Sequence, residues 1–264
     1  MTTVARERRT PSWARGLFGF VVFLVMLEIV PLSGLVPSRY LPPLHEIGEA
    51  LGAAVSEAEF WIAVGDTLGG WGLGLSIALG AGIVLGLLIG SSGLLLRFTA
   101  STIEFLRPIP SVALIPLAVL MFGTEIESKL MLIVYAAFWQ VLIQVLYGVR
   151  DVDPVARDTA RSFRFGAWSR IRHVVWPTAL PYVMTGFRLA ATVALVLAIT
   201  AELVIGNPGL GKQIATARSS GAVETMYALV LVTGVIGVLV NVGVRLVERR
   251  VLAWHPSVRR EVPA

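Results

Sequence analysis

Six long apolar stretches recur along this chain, and their length constrains the fold more than any other feature. A helix needs about 20 mostly apolar residues to cross the ~30 Å hydrocarbon core of a bilayer. The predicted spans lie approximately at residues 16–30 extended by its flanks, 68–90, 111–123 with the residues before it, 130–147, 180–205 and 227–247. The sequence therefore predicts an all-α polytopic membrane protein with about six transmembrane helices.

Composition supports a membrane-embedded chain and excludes several kinds of site. Only 15% of the 264 residues are charged and the mean hydropathy is +0.78, whereas soluble domains have about 25% charged residues. The chain has no cysteine, which excludes disulfides and thiolate metal sites. Its three histidines lie in separate segments, so we expect neither a histidine metal site nor a bound cofactor.

The third predicted span is the least regular of the six. Arg107 interrupts it, together with Pro108, Pro110 and Pro116. A proline-broken span is tolerated where protein or a water-filled cavity surrounds it.

The distribution of positive charge predicts how the chain is oriented. If the N-terminus is inside, 16 of the 22 arginines and lysines fall in inner segments and 4 in outer segments. Because cytoplasmic loops carry the excess of positive charge, both ends are expected in the cytoplasm. We expect tails at residues 1–15 and 251–264 around one membrane domain at 16–250. The basic residues follow the spans, so nucleic acid is not an expected partner.

The N-terminal segment could also be a cleavable signal, but Glu28 and the lack of an A-x-A site favour a retained span. The outer segment 31–58 is predicted to contain a short interfacial helix.

In the second span, glycines recur mostly every four residues, at Gly70, Gly74, Gly82, Gly86 and Gly90. Such a stripe allows close helix packing, within the chain or at a dimer or pathway, and packing within the chain is favoured.

Residues 148–175 carry six arginines between two apolar stretches and predict an ordered helical hairpin facing the cytoplasm. Asp153 followed by Pro154 is typical of a helix start, since the carboxylate caps the helix and proline lacks an N–H that would be unpaired anyway. An apolar stripe should follow at Val155, Thr159 and Phe163. Arginines are expected on the opposite side, at Arg157, Arg161 and Arg164.

The second half of the hairpin should be a shorter helix joined to the fifth span. Gly166 is predicted to break the first helix, and Pro177 and Pro181 are predicted to end the second one and open the span. Trp168, Ile171 and Val175 should share one side. Residues that start and end helices in this order indicate an ordered docking element that could tilt the span, rather than a loop that is merely positively charged.

The hairpin resembles the EAA loop of ABC-importer permease subunits, which reads Glu-Ala-Ala, three residues, Gly, then nine residues to Ile-x-Leu-Pro. The aligned positions are Asp158 at the Glu, Ala160 at the second Ala, Val174 at the Ile and Pro177 at the Pro. The departures are Thr159 for the first Ala, Arg164 for the Gly and Trp176 for the Leu. Since Gly166 comes two residues late, the turn is expected to shift.

The resemblance extends over nearly the whole chain, from about Leu41 to Arg250, and is closest to the nitrate/sulfonate/taurine branch. The matching segments are 107–110 with 114–117, 180–190, and 201–202 followed by 209–211. The resemblance implies a non-enzymatic permease of a prokaryotic cell membrane, working with a second permease copy. It also implies two cytoplasmic ATPase subunits that bind ATP, and an extracytoplasmic solute-binding protein. The implied ATPase-coupling residues are Asp158, Thr159, Ala160, Arg161, Arg164, Gly166 and Pro177.

Residues 206–213 nearly spell a phosphate-binding P-loop, but this interpretation is rejected. Gln213 stands where the magnesium-binding hydroxyl belongs, and a membrane span precedes the segment instead of a strand. An outer turn is expected there.

Polar residues within the spans are candidates for the translocation pathway, because polar groups in a membrane usually face protein or a water-filled path. These candidates are Arg107, Gln140, Gln144, Arg188 and Glu202. Arg107 and Arg188 could equally extend to the inner membrane interface. The alternative function is a stand-alone carrier or channel driven by gradients, but the internal repeat or paired acids it would need are not evident.

Overall fold

The structure, a computed structural model, describes residues 12–254; parts of both predicted tails lie outside this range. Every regular element within the described range is helical, which confirms the predicted all-α class. The helices are α1 Ser12–Leu32, α2 Leu44–Ser56, α3 Ala58–Ser91, α4 Gly93–Leu106, α5 Ile115–Phe122, α6 Ile126–Arg150, α7 Pro154–Ser162, α8 Ala167–Arg170, α9 Trp176–Ile205, α10 Leu210–Ser220 and α11 Val223–Val251. A 3₁₀ turn at Ser111–Leu114 precedes α5, and a π-helical turn at Ile171–Val175 joins α8 to α9.

Four helical segments in residues 12–254 are long and apolar enough to cross a bilayer: α3, α6, the continuous stretch Ala167–Ile205, and α11. A fifth crossing is available if α4 and Ser111–Phe122, which are bent by 83°, act as one broken span. The first predicted span corresponds to α1, whose apolar part Gly16–Leu32 is shorter than these four segments. The chain is therefore a multi-pass membrane protein.

Glycines on α3 allow this helix to lie directly against α6. A Cβ atom added to Gly74 would come 2.5 Å from Ile133, and one added to Gly86 would come 2.6 Å from Val145. Gly70, Gly82 and Gly90 meet α6 in the same register, opposite Lys129, Val141 and Val149. The stripe thus serves packing within the chain, as favoured from the sequence. Because the contact positions advance together along both helices, α3 and α6 run parallel.

Two parallel helices require the segment between them to return across the bundle, and α4 and α5 do so in two pieces. The Tyr135 hydroxyl donates to the Leu106 carbonyl at 2.6 Å, which places the end of α4 beside the first half of α6. The Ser128 hydroxyl, near the start of α6, donates to the Gly123 carbonyl at 2.6 Å. The predicted third span is therefore sharply bent at residues 107–110, where two prolines follow Arg107.

The core forms where α6 lies between α3 and α9. On α9, small side chains are fully buried, at Ala190, Ala194, Ala198 and Ala201. We call the end of the bundle that carries residues 148–175 the hairpin end, and the opposite end the distal end. The helix predicted in the outer segment is present as α2, which packs against α11. The Tyr227 hydroxyl on α11 donates to the Tyr40 carbonyl at 2.7 Å.

Candidate functional site

The first helix of the hairpin begins and ends with specific backbone hydrogen bonds. Asp153 caps α7 as predicted, since its carboxylate accepts from the Val155 amide at 2.8 Å. At the other end the Phe165 amide donates to the Ala160 carbonyl at 2.9 Å, and Arg164 adopts a left-handed conformation with φ 55°. This is the Schellman arrangement, in which glycine usually occupies the left-handed position. Arg164 therefore takes the conformation that suits the glycine of the EAA motif.

The prediction that Gly166 breaks this helix, and that the turn shifts, is wrong. Gly166 has an ordinary φ of −61° and precedes α8 as its N-cap residue. The turn is formed two residues earlier, where Arg164 adopts the left-handed conformation at a steric cost.

One side of α7 rests on the chain itself. Ala160 is buried, and Arg157 donates through Nη2 to the Val149 carbonyl at 3.2 Å. The Ala160 side chain therefore packs against the bundle and does not face outward. Arg161 and Asp158 form the expected ion pair at 3.4 Å, but both side chains are mostly exposed, so its contribution to stability is small.

The opposite side of the hairpin exposes large apolar side chains. Val155, Phe163 and Trp168 are 71%, 74% and 72% exposed. We call these three residues the docking face. Exposed apolar residues clustered on an ordered, charged element are typical of an interaction surface.

The second arm of the hairpin continues into a membrane-spanning helix without a break. The α8 helix, the π-helical turn and α9 form one helical segment, Ala167–Ile205. The prediction that Pro177 and Pro181 end the arm is wrong, because Pro177 lies in the first turn of α9 and Pro181 lies inside it. The π-helical turn Ile171–Val175 lies just before Pro177. Proline has no backbone N–H and therefore cannot donate the regular α-helical hydrogen bond at this point. The second arm and α9 therefore form one continuous helix.

A buried polar cluster lies at the distal end, where α3, α6, α9 and α10 meet. Lys129 Nζ lies 3.0 Å from Glu202 Oε1 and also donates to the carbonyls of Asp66 and Pro208, at 3.1 and 3.2 Å. The Thr67 hydroxyl donates to Glu202 Oε2 at 2.8 Å. All three side chains are almost completely buried. The ammonium group thus has three acceptors, and the carboxylate accepts on both oxygens.

This cluster also explains why residues 206–213 do not form a phosphate site. The amides at the start of α10 are already bound: Leu210 donates to Thr67 Oγ1 at 2.9 Å, and Gly211 donates to Glu202 Oε2 at 3.1 Å. Glu202 therefore occupies the helix N-terminus, where an anion would otherwise bind. Gly209, with φ 144°, lies directly against this carboxylate, and a Cβ atom there would collide with it.

The remaining pathway candidates occupy different positions. Arg107 is exposed at the bend of the broken span. Gln140 and Gln144 are half-buried on α6 beside Gly186 of α9. Arg188 Nη1 lies 3.6 Å from Glu248 Oε2 of α11. Glu248 also lines a cleft of about 670 Å³, together with polar and apolar residues that include Asp151 and Tyr182.

Glu202 does not line an open path in this structure, because it is fully enclosed by its partners. Its partners Thr67 and Lys129 were not singled out from the sequence as a site. By its position in the chain, Lys129 is one of the four basic residues that the charge count assigns to outer segments. No local sequence signal points to Lys129, because its position opposite Gly70 is visible only in the structure.

Comparison with known proteins identifies the class and then the family. A solved structure of the MetNI methionine ABC transporter in an inward-facing conformation matches with a TM-score of 0.63. It covers 74% of this chain and 99% of that one at 18% identity, so the two share a fold. The class that this fold defines is the type I ABC-importer permease.

Sequence relatives are consistent with that class. The taurine transport system permease protein TauC of Escherichia coli (strain K12) is 30% identical over 90% of this chain and 88% of its own. The putative aliphatic sulfonates transport permease protein SsuC of Bacillus subtilis (strain 168) is 29% identical over 95% and 91%. The profile of the family described as binding-protein-dependent transport system inner membrane component matches residues 82–253. This chain belongs to that family, within its nitrate/sulfonate/taurine branch.

Proposed function

We propose that this chain forms half of the translocation pathway of an ATP-driven importer for a small solute such as nitrate, a sulfonate or taurine. A second copy would supply the other half, two cytoplasmic ATPase subunits would bind the hairpins, and an extracytoplasmic protein would deliver the solute. Both termini and the hairpin end lie in the cytoplasm in this proposal. The family membership and the names of the relatives support the general assignment.

The observation that carries the coupling role is the combination of an exposed docking face with an unbroken connection to α9. Val155, Phe163 and Trp168 present apolar surface to a partner. The arm that carries Trp168 is the start of the same helical segment that crosses the bundle. When the ATPase subunits close on ATP, movement of the bound hairpin would therefore tilt α9 and change which side of the pathway is open.

We propose that the pathway is lined by Arg107, Gln140, Gln144 and Arg188. The exposed guanidinium of Arg107, placed at a break in a span, could attract an anion. Arg188 forms an ion pair with Glu248 in this structure and would bind a passing anion only after that pair separates.

The coupling role is tested by co-purification of the chain with its ATPase subunit. A charge at the centre of an apolar interface disrupts it, so Phe163→Asp should reduce recovery of the ATPase at least tenfold. Leu35→Asp is the matched control, because Leu35 is 80% exposed but lies outside the hairpin. Equal recovery with both variants would contradict the assignment of the docking face.

A further inference from the structure

A second cavity lies behind the hairpin, on the side opposite the docking face. It has a volume of about 230 Å³ and is enclosed by α7, the second arm and the ends of α3 and α6. Three arginines line it, at Arg157, Arg161 and Arg170, and no acidic residue does. We call it the arginine pocket.

The positive charge of the arginine pocket is only partly balanced. Arg157 gives one bond to the Val149 carbonyl, and within residues 12–254 neither Arg157 nor Arg170 forms an ion pair with a carboxylate. Both of these side chains are half-buried. Arg161 pairs with Asp158, which lies outside the pocket lining. An anionic group is therefore the occupant that the charges favour.

The position of the arginine pocket at the ends of two membrane-spanning helices indicates a membrane ligand. Ser91, the last residue of α3, lines it together with Val149, which is next to the end of α6. Two helices that are long and apolar enough to cross a bilayer thus end at its level, and lipid headgroups lie where such helices leave the hydrocarbon core. The rest of the lining includes Val152, Val174 and Val175 and is apolar.

An apolar track on α3 leads to this pocket. Val84 and Leu88 are each 55% exposed and lie seven and three residues before Ser91, so all three share one face of the helix. An acyl chain lying along this face would place its headgroup at the mouth of the arginine pocket. A soluble anion would make no use of such a track.

We propose that the arginine pocket binds the phosphate of an anionic phospholipid, with an acyl chain along Val84 and Leu88. Basic pockets between membrane helices are a recurring type of lipid site. The bound phosphate would bridge Arg157 on the first arm and Arg170 on the second. This inference requires only that the chain spans a bilayer, and it does not depend on ATPase docking.

The test is native mass spectrometry of the full-length chain, extracted from nanodiscs that contain equal amounts of phosphatidylglycerol and phosphatidylcholine. Wild-type protein should retain phosphatidylglycerol selectively. The variant Arg157→Gln/Arg170→Gln should lose about tenfold or more of that selectivity, because it removes two of the headgroup's charge partners. The control Arg150→Gln/Arg172→Gln removes the same charge from neighbouring positions that do not line the pocket, and should behave like wild type.

Other outcomes overturn the proposal. Equal loss in both double variants would show nonspecific surface attraction. Displacement of the lipid by millimolar inorganic phosphate would indicate a site for a soluble anion. If Arg157→Gln/Arg170→Gln reduced recovery of the ATPase but retained phosphatidylglycerol like wild type, the pocket would belong to the ATPase interface.

A measurement on wild-type protein covers the case in which the glutamine variant does not fold. Amide hydrogen exchange across residues 152–157 and 167–171 should be slower in phosphatidylglycerol nanodiscs than in phosphatidylcholine nanodiscs. Equal exchange rates would contradict the proposal. Phe163→Asp should keep this difference while losing the ATPase, so the two proposals fail separately.

Discussion

Lys129 and Glu202 are individually costly in a membrane protein, yet here each satisfies the other. Burying a charge is unfavourable unless it is paired and hydrogen-bonded, and both conditions hold. The pair joins α6 to α9, and its additional bonds reach α3, the loop before α10 and α10 itself. Its role is therefore to hold the distal end of four helices together.

Removal of one partner should be strongly destabilising. Lys129→Met leaves the Glu202 carboxylate buried without its counter-ion, and we expect a loss of about 3–5 kcal/mol in the free energy of unfolding. Lys129→Met/Glu202→Gln should recover part of this loss, since no unpaired charge remains. Thermal and denaturant unfolding in detergent would measure both. Lys212→Met, at an exposed position of α10, is the control, and an effect no larger than the control's would refute the role of the pair.

His45 should make the contact between α1 and α2 sensitive to pH. Its Nδ1 lies 2.8 Å from Glu28 Oε1, and this hydrogen bond raises the pKa of His45 above its ordinary value of about 6.5. A raised pKa means that the contact is fully stabilised below about pH 6.5 and weakens as the pH rises through the higher value. Protection against hydrogen exchange in residues 33–43, expressed relative to the intrinsic exchange rate at each pH, should therefore be lower at pH 8.5 than at pH 6. His45→Gln should abolish the difference, and its persistence in that variant would assign the effect to another group.

At the scale of secondary-structure elements, the glycines of α3 divide into two groups. Gly86 faces α6, where an added Cβ would lie 2.6 Å from Val145, whereas Gly80 has nothing within 4 Å. Gly86→Ala should destabilise the protein by about 1–3 kcal/mol through overpacking. Gly80→Ala should stabilise it by up to about 1 kcal/mol through helix propensity. Unfolding measurements on both variants test the parallel packing of α3 and α6, and effects of the same sign would contradict it.

The turn of the hairpin is strained at Arg164. A non-glycine residue in the left-handed region costs about 1–2 kcal/mol, so Arg164→Gly should slow hydrogen exchange in α7. Gly166→Ala should have little effect, because its φ is −61° and no atom lies within 4 Å of the added Cβ. If Gly166→Ala disrupted α7 instead, the turn would lie where the sequence alone suggested.

Local signals in the sequence predicted much of this architecture. The spans, the Asp153 cap, the α2 helix and the glycine stripe all depend on residues close together in the chain. The pair Lys129–Glu202 joins residues 73 positions apart, and nothing local indicates that they meet. The course of the chain through Pro177 was also unpredictable, since proline both ends helices and fits their first turn.

Sequence periodicity showed that α7 has two different sides, but it could not show which side faces the bundle. Charged sides usually face water, yet Arg157 packs back toward α6 while Val155 and Phe163 point away. An apolar side is left exposed only where a partner covers it or where exposure is tolerated. The exposed apolar side supports the proposed docking of a partner, and the sequence pattern alone did not reveal this side.

Across the molecule as a whole, buried polar bonds fix the distal end, whereas the proposed function gives the hairpin end the role of a lever. The Lys129–Glu202 cluster fixes α9 near one end, and in the proposed function the arm that begins at Ala167 would move it from the other. A helix fixed at one end and displaced at the other tilts as a unit. This arrangement suits a pathway that opens alternately on the two sides of a membrane.

The proposed function requires that the docking face lies in the cytoplasm and is covered by the ATPase. The chain has no cysteine, so Trp168→Cys and Leu35→Cys each provide a single labelling site. In right-side-out vesicles, a membrane-impermeant maleimide should label Leu35→Cys but not Trp168→Cys. In inside-out vesicles it should label Trp168→Cys, and bound ATPase should reduce that labelling. Labelling of Trp168→Cys from the outside, or undiminished labelling when the ATPase is bound, would contradict the account.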